Sequence, residues 1–391
     1  MESFKQKIAG LCVFNVKNDP VLEAFSMLGG KSRTKSYDGY SRLCSALLLS
    51  GKSLGGYLHD MLIFSESPLI SACARENSEL RTGAVECDLG VMRTIASYSS
   101  SALKRELAGL YGDEGFNSLP DFEEGGFDYG AQYFIDFAAK HGSGIFAQYK
   151  AFTFDNGELH PIENTDPIRL TDLKNYSVQR KQVVENTICF LNDQPAQNVL
   201  LYGDRGTGKS STVKAILNEY DGLRMVEVAK NDIAGLPALF RRLKDIPLHF
   251  IVTIDDLTFT ENDDRFGILK AVLEGSLSAR PDNILIYATT NRRKIVKESA
   301  AEREISGADA IDESMSLADR FGLFITFIKP DKAGFLDIVR QLAEDRDIDI
   351  EEEKLFAAAE RFALKRGGRS PRIARQFIDW LRGRLALGMD Y

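Results

Sequence analysis

The spacing of apolar residues divides the chain into two regions. From about residue 18 to residue 110, apolar side chains recur three and four positions apart, as in residues 40–49 and 54–64, which is the period of amphipathic helices. We therefore predict a mainly helical N-terminal module over residues 1–145. Within it, residues 112–128 contain six acidic residues, several glycines and a proline but no basic residue, which predicts a loop or linker.

The second region alternates short apolar runs with helical segments. Such runs are typical of strands buried on both faces, and their alternation with helices indicates a parallel sheet covered on both sides. The predicted strands are residues 149–154, 199–202, 225–229, 250–254, 284–288 and 323–328, and the predicted helices are 178–192, 209–218, 236–244 and 266–277. Residues 332–387 are predicted to be helical throughout. The sequence thus predicts an α/β domain over residues 146–330 and a helical lid over residues 331–391.

Composition narrows the class of protein. With 391 residues, 44% apolar and 27% charged, the chain has the balance of a globular protein and not that of a disordered or collagen-like one. No run approaches the ~20 apolar residues of a membrane span, and the first ten residues lack a secretory pattern, so we expect a cytoplasmic protein without a membrane partner. Five scattered cysteines are typical of reduced core thiols. The net charge of −8 is evenly spread and gives no indication of nucleic-acid binding.

A phosphate-binding motif follows the strand at 199–202. Residues 203–210 satisfy GxxxxGK[ST], and a helix is predicted to begin at Lys209. The glycines let backbone N–H groups face phosphate oxygens, and the helix N-terminus adds a favourable dipole. We expect Lys209 to contact the β and γ phosphates and the Ser210 hydroxyl to ligate Mg²⁺. The other predicted nucleotide-binding residues of this segment are Gly203, Asp204, Arg205, Gly206, Thr207, Gly208 and Ser211.

The buried strand at 250–254 ends in two carboxylates, Asp255 and Asp256. Behind a phosphate loop this pair fits a second nucleotide motif, in which Asp255 would hold Mg²⁺ through water and Asp256 would polarise the attacking water. Alternatively, the pair caps the following turn. Asn291 ends the next buried strand and could reach between the second motif and the γ phosphate to position water.

Two arginines complete the candidate site. Arg320 lies just before the last predicted strand, where its guanidinium could be offered to the γ phosphate of a neighbouring subunit. Alternatively, it is a surface residue that pairs with Asp319. Ser370 is the predicted N-cap of the last helix and Pro371 its first residue, so Arg372 lies in the first turn and could point towards the phosphates.

Basic residues are concentrated near the C-terminus. Residues 361–384 contain eight basic residues against one acid, and Arg369, Arg372 and Arg375 recur at helical spacing. Such a face could bind the phosphate backbone of a nucleic acid. The interpretation we favour is an ATP-sensing arginine with surface charges that support contacts between subunits.

In order along the chain, these features resemble the motifs of AAA+ ATPases. Walker A corresponds to residues 203–210, Walker B to Asp255 and Asp256, sensor 1 to Asn291, the arginine finger to Arg320 and sensor 2 to Arg372. More closely, residues 198–211, 279–293 and 367–379 are similar to a bacterial AAA+ family catalogued as a domain of unknown function. The resemblance implies ATPase chemistry but no particular substrate.

The resemblance has three further implications. Adenine would lie near the helix that precedes the phosphate loop, with Leu173, Tyr176 and Gln179 as candidate contacts. Walker B usually ends in Asp-Glu, whereas this chain has Asp-Asp, which implies slow hydrolysis or hydrolysis that depends on a partner. Residues 230–237 lack the aromatic-apolar-glycine pore loop of AAA+ unfoldases, so we do not expect protein threading.

Our leading hypothesis is a Mg²⁺-dependent ATPase that couples its nucleotide state to conformational change in a partner or assembly. Its expected cofactors are ATP and Mg²⁺, and its expected partners are further copies of the chain and a protein bound by the N-terminal module. One alternative is an ATP-bound switch or scaffold with negligible turnover. Another is a nucleic-acid loader or remodeller that uses the basic C-terminal helix.

Overall fold

The computed structural model describes residues 4–76, 78–260, 264–274, 281–291, 296–297 and 320–390. It divides into two compact units, Met1–Tyr149 with Asp245–Leu248, and Lys150–Lys244 with His249–Tyr391. The second unit therefore holds both the predicted α/β domain and the predicted lid. The division into three domains at residues 145 and 330 stays a prediction.

The first unit is helical, as its apolar spacing predicts. Its helices are α1 Phe4–Ala9, α2 Pro20–Met27, α3 Arg33–Ser50, α4 Leu54–Ile63, α5 Pro68–Arg75, α6 Glu79–Ala96, α7 Ser100–Tyr111, α8 Ala131–His141 and α9 Ile145–Gln148. Six described helices follow an Asp or Ser whose side chain accepts a backbone N–H of the first turn, which satisfies donors that the helix leaves free. These caps are Asp19, Ser32, Ser53, Ser67, Ser78 and Ser99.

The acidic segment 112–128 belongs to the core of this unit. Apart from the short 3₁₀ helix Glu114–Ser118 it has no regular structure, as predicted. However, Phe116, Phe122 and Phe127 between the acidic residues are 0%, 4% and 5% exposed. The segment is therefore not a solvated linker, because its aromatic side chains pack among the helices.

In the described part of the second unit, seven strands form one sheet in the order β2-β1-β4-β5-β7-β3-β9. The strands are β1 Ala151–Asp155, β2 Glu158–Pro161, β3 Val199–Gly203, β4 Leu223–Val228, β5 His249–Ile254, β7 Ile284–Thr290 and β9 Leu323–Phe327, and β6 Phe259–Thr260 pairs with β8 Val296–Lys297. Neighbours in the large sheet are parallel except β1 and β2. The predicted α/β fold is confirmed.

The helices α10 Ser177–Leu191, α11 Lys209–Glu219, α12 Leu236–Leu243 and α13 Asp264–Glu274 lie close to their predicted bounds. Residues 332–387 are not helical throughout, because turns at 345–351 and 366–370 divide them into α14 Lys332–Glu344, α15 Glu352–Lys365 and α16 Pro371–Ala386. Residues 275–277 of the predicted helix at 266–277 lie outside the described residues. The last three helices share their own apolar cluster, which includes Phe335, Ile338 and Phe377. Among the described residues, no helix has the length and apolar character needed to span a bilayer.

The sheet order brings three chain segments to one edge. β5 pairs with β7, and β7 pairs with β3, all in parallel. The carboxyl ends of these strands are followed by Asp255, Asn291 and the loop after Gly203. Since carboxyl ends of parallel strands share an edge, the three predicted motifs meet there.

Candidate functional site

A cavity of about 670 Å³ opens at this edge, inside the second unit. It falls within the ~300–1,000 Å³ range of ligand pockets. Its walls are the loop after β3, the ends of β5 and β7, the segment before α10, and helices α14 and α16. The residues from the predicted set that line it are Leu173, Tyr176, Arg205, Gly206, Thr207, Gly208, Lys209, Ser210, Ser211, Asp255, Asp256, Asn291 and Arg372.

Glycine is required where the loop leaves β3. Gly203 has φ +135°, and a Cβ there would lie 2.0 Å from the carbonyl oxygen of Phe327 on β9. Gly208 has φ +95° and immediately precedes α11. The loop therefore ends with the first turn of a helix, whose free N–H groups favour an anion.

Asp204 and Thr207 shape the loop from within. The N–H of Asp204 donates to the Phe327 carbonyl at 2.9 Å, and the N–H of Lys329 donates to the Asp204 carboxylate at 2.8 Å. The Thr207 hydroxyl donates to the Asp204 carbonyl at 2.8 Å. Both side chains thus stabilise the loop, and Asp204 ties it to the segment after β9.

Lys209 is the buried cation of the site, 6% exposed. Its ammonium donates to the carbonyls of Gly203 and Asp204 at 3.0 and 2.8 Å and to Asn291 Oδ1 at 3.0 Å. Burial lowers the pKa of Lys209, and the nearby carboxylates of Asp255, Asp204 and Asp256 oppose that shift. A buried ammonium at the start of α11 is suited to binding an anion.

Oxygen ligands for a hard cation lie beside it. The Ser210 hydroxyl donates to Asp255 Oδ1 at 2.6 Å, and the Thr289 hydroxyl donates to the same oxygen. Across the described residues, no group of three or more His, Cys, Asp or Glu side chains could hold a metal. One carboxylate and one hydroxyl fit Mg²⁺, which usually takes few protein ligands and completes its shell with water and substrate phosphates.

Asn291 connects Lys209 to Asp256. Its Nδ2 donates to Asp256 Oδ1 at 2.8 Å, while its Oδ1 accepts from Lys209 at 3.0 Å. This orientation is the one that chemistry requires, because an ammonium can only donate and a carboxylate can only accept. Asp256 itself has φ +50°, and its N–H donates to the Thr289 hydroxyl at 3.1 Å.

The lid reaches the phosphate loop through α16. Ser370 caps this helix by accepting the Ile373 N–H at 3.3 Å, and Pro371 begins it, which confirms the predicted start. The N–H of Arg372 donates to the Gly206 carbonyl at 3.1 Å. The first turn of α16 is therefore bonded directly to the loop.

The arginine face predicted for this helix is wrong. Arg369 precedes α16 and binds Glu360 of α15 with two hydrogen bonds of 2.8 and 2.6 Å. Arg375 is on the helix and donates to the Asp172 carbonyl at 3.2 Å. Because the helix begins only at Pro371, the three arginines do not share one helical face.

Arg320 lies at the opposite edge of the sheet from the cavity, where the parallel strands begin. It is exposed and precedes the amino end of β9, where the N–H of Leu323 donates to the Asn198 carbonyl at 3.1 Å. Asn198 precedes β3, whereas the phosphate loop follows β3. Arg320 is accordingly absent from the described lining of the cavity. Its alternative partner Asp319 lies outside the described residues.

The segment before α10 forms the wall where adenine was expected. Tyr176 has φ +58°, and its hydroxyl donates to the Ile328 carbonyl at 2.6 Å; burial raises its pKa to about 12. Leu173 is half-buried. Gln179 does not belong to the described lining, because its amide faces β9 and donates to the Thr326 carbonyl at 3.2 Å.

Thr289 and Arg180 are among the lining residues that sequence reasoning missed. Arg180 donates to the carbonyls of Leu170 and Leu173 and so holds the turn before α10, and burial lowers its pKa. No motif indicates it, because its partners are backbone atoms. Thr289 carried one signal, because it is one of two threonines that end a mainly apolar strand just before Asn291.

Comparison with known families matches most of this second unit. The model of a family described as "Protein of unknown function (DUF815)" matches residues 147–385. That span is more than half of the chain and contains every predicted site residue.

Individual relatives are more distant. The chain is 24% identical over 203 residues to a probable spastin homolog of Brugia malayi, covering 45% of this chain and 44% of that protein. It is 29% identical over 184 residues to a cell division cycle protein 48 homolog of Archaeoglobus fulgidus, covering 41% and 23%. The chain thus spans less than half the length of these curated relatives.

Among solved structures, the chain is similar to the RuvB Holliday junction branch migration motor of Thermotoga maritima. The identity is 18%, the TM-score is 0.39, and the match covers 57% of this chain and 67% of that one.

Proposed function

The chain belongs to the family described as Protein of unknown function (DUF815) and is an AAA+ P-loop protein, and on this premise we propose that it binds and hydrolyses Mg·ATP. The observation that carries the proposal is the convergence of Lys209, Ser210, Asp255, Asp256 and Asn291 on one cavity at the carboxyl ends of three adjacent strands.

In this proposal the phosphate loop binds the triphosphate. Backbone N–H groups of the loop and of the first turn of α11 donate to phosphate oxygens. Lys209 exchanges its bonds to the loop carbonyls for bonds to the β and γ phosphates. Ser210 and Asp255 would hold Mg²⁺, which would neutralise charge on those phosphates. Leu173 and Tyr176 border the base.

Asp256 and Asn291 act on the attacking water. The Asp256 carboxylate accepts a hydrogen bond from the water and so orients it towards the γ phosphorus. The water oxygen bonds to the γ phosphorus as the bond to the β–γ bridging oxygen of ATP breaks. ADP leaves with that oxygen, and the proton lost by the water passes to the phosphate product. Asn291 holds this carboxylate in place through its Nδ2, and Lys209 in turn holds the Asn291 side chain by donating to its Oδ1. Arg372 also lines the cavity and would add a positive charge near the phosphates.

Further copies of the chain complete the site. Arg320 lies near the amino ends of the strands, whereas the cavity of the same chain opens at their carboxyl ends. We therefore propose that Arg320 of the partner subunit reaches the γ phosphate. An arginine supplied in this way is worth ~10³ to 10⁵ in rate in related systems. Mixing Lys209→Ala with Arg320→Ala chains tests this: each is inactive alone, and the mixture regains phosphate release if the arginine acts between subunits. A mixture that stays inactive would contradict it.

The lid and the N-terminal unit would pass the change of nucleotide state on to a partner. The bond from the Arg372 N–H to the Gly206 carbonyl supports a direct link between the phosphates and α16. We propose that this link moves the lid as the nucleotide changes, and that the N-terminal unit binds the protein on which the movement acts.

Binding is tested by titration with a fluorescent ATP analogue in Mg²⁺. Lys209→Ala is expected to weaken binding at least about tenfold, because it removes hydrogen bonds between charged groups worth ~1.5–3 kcal/mol. Lys214→Ala is the matched control, since Lys214 is on the same helix but does not line the described cavity. Equal affinity of the two variants would refute the assignment. Tight binding without phosphate release would favour the ATP-bound switch, to which the shorter Asp256 side chain also points.

A further inference from the structure

Thr289 is a buried hydroxyl in the wall of the site. All seven residues of β7 are buried, and Thr289 is 6% exposed. It is on the same face of the strand as Leu285 and Tyr287, which pack in the cluster that also contains Val213 and Ile216 of α11. A valine of the same shape would suit that apolar position, so the hydroxyl calls for an explanation.

The side-chain hydrogen bonds of Thr289 to described residues both go to the Walker B segment. Its hydroxyl donates to Asp255 Oδ1 and accepts the N–H of Asp256 at 3.1 Å. Its backbone carbonyl accepts the N–H of Leu257 at 2.7 Å. A hydroxyl has one proton to donate and lone pairs to accept, so both side-chain bonds form at once.

These contacts hold a turn that the chain would not otherwise favour. Asp256 has φ +50°, which residues with a Cβ seldom adopt unless the surroundings impose it. Asp also has one fewer rotatable bond than Glu, so the position of its carboxylate follows the backbone more closely. Where Walker B ends in Asp-Asp, the turn itself must therefore aim the second carboxylate.

We propose that Thr289 is a positioning residue for the reaction, which orients Asp255 for Mg²⁺ and fixes the turn that presents Asp256. This inference rests on the proposed function. Residues that orient metal ligands in this way typically change metal affinity or activity by about 10- to 100-fold when they are removed.

The test compares Thr289→Val, which keeps the shape, with Thr289→Ser, which keeps the hydroxyl. The matched control is Thr187→Val, since Thr187 is a buried threonine whose hydroxyl bonds to the Tyr287 hydroxyl at 2.8 Å outside the described lining. Two quantities are measured with the full chain: the affinity for ATP in EDTA, and the Mg²⁺ concentration that half-saturates ATP binding and phosphate release.

We expect Thr289→Val to raise the half-saturating Mg²⁺ concentration and to lower the maximal rate of phosphate release, and the product of the two changes should be about 10- to 100-fold. The affinity for ATP measured in EDTA should stay unchanged. Thr289→Ser should restore most of both, and Thr187→Val should change neither. If Thr289→Val does not fold, Thr289→Ala removes the hydroxyl without adding a methyl group and takes its place. A merely structural role would not shift the Mg²⁺ requirement selectively.

The possible failures can be told apart. An active parent chain with an unchanged Mg²⁺ requirement and rate in Thr289→Val overturns this inference alone. A parent chain that binds Mg·ATP without turnover overturns the proposed hydrolysis. The role of Thr289 is then decided by ATP binding alone: a higher half-saturating Mg²⁺ concentration in Thr289→Val than in the parent supports it, and an equal one overturns it. A parent chain that binds no ATP overturns both.

Discussion

Replacing Asn291 by alanine separates catalysis from binding at this site. The substitution removes one hydrogen bond to the Asp256 carboxylate and one from the Lys209 ammonium. Lys209 keeps its two carbonyl partners, which it still exchanges for phosphate oxygens when ATP binds, whereas Asp256 loses the Asn291 donor to its carboxylate. The variant should therefore bind ATP nearly as the parent does but hydrolyse it more slowly.

The size of the effect follows from the bond to Asp256. A hydrogen bond to a charged group contributes ~1.5–3 kcal/mol, and loss of that amount in the transition state alone lowers kcat by about 10- to 150-fold. Asn291 is half-buried, so the lower half of that range is expected. Steady-state phosphate release gives kcat, and titration with an ATP analogue gives the affinity.

The control is Asn186→Ala, which removes a second bridging amide. Asn186 exchanges hydrogen bonds of 2.9 Å with the backbone of Gln197 and donates to the Tyr287 hydroxyl at 3.1 Å, outside the described lining of the cavity. It should leave kcat unchanged. If Asn291→Ala kept the parental kcat, or lost only affinity, the assignment of Asn291 to the attacking water would be refuted.

Two predictions concern stability. Asp88 is 3% exposed and accepts the N–H groups of Val13 at 2.8 Å and Phe14 at 3.3 Å. Asp88→Ala should therefore lower the free energy of unfolding by about 3 kcal/mol. Urea denaturation measures this change, and an unchanged midpoint would contradict the prediction. Burial raises the pKa of Tyr287 from 10.0 to about 12, so the folded state holds its proton more tightly and stability falls as the pH rises from 10 to 12. Tyr287→Phe should make that fall shallower, and an identical fall in both proteins would be evidence against it.

The succession of strands and helices along the chain could be predicted from the sequence, whereas the order of the strands in the sheet could not. The apolar runs indicated the buried strands because strands covered on both faces have no polar side to interrupt them. Strand β2 and the pairing of β1 with β4 were not predicted. Sheet order depends on pairing between distant segments, which no local pattern records.

The site shows the same contrast. The phosphate loop and the strand-end carboxylates have fixed spacing in the chain, so motifs reveal them. Arg369 was misassigned because its partner Glu360 is on another helix, and the helix start at Pro371 separates it from Arg372. Arg180 acts on backbone carbonyls and therefore leaves no trace in sequence spacing.

The most direct test of the account is the rate of phosphate release per chain, measured at saturating Mg·ATP across a series of protein concentrations. The account predicts a rate that rises with concentration, because Arg320 of the partner subunit completes the site, and that disappears in both Lys209→Ala and Asp256→Asn. Release that persisted in these two variants, or ATP binding with no release at any concentration, would contradict it.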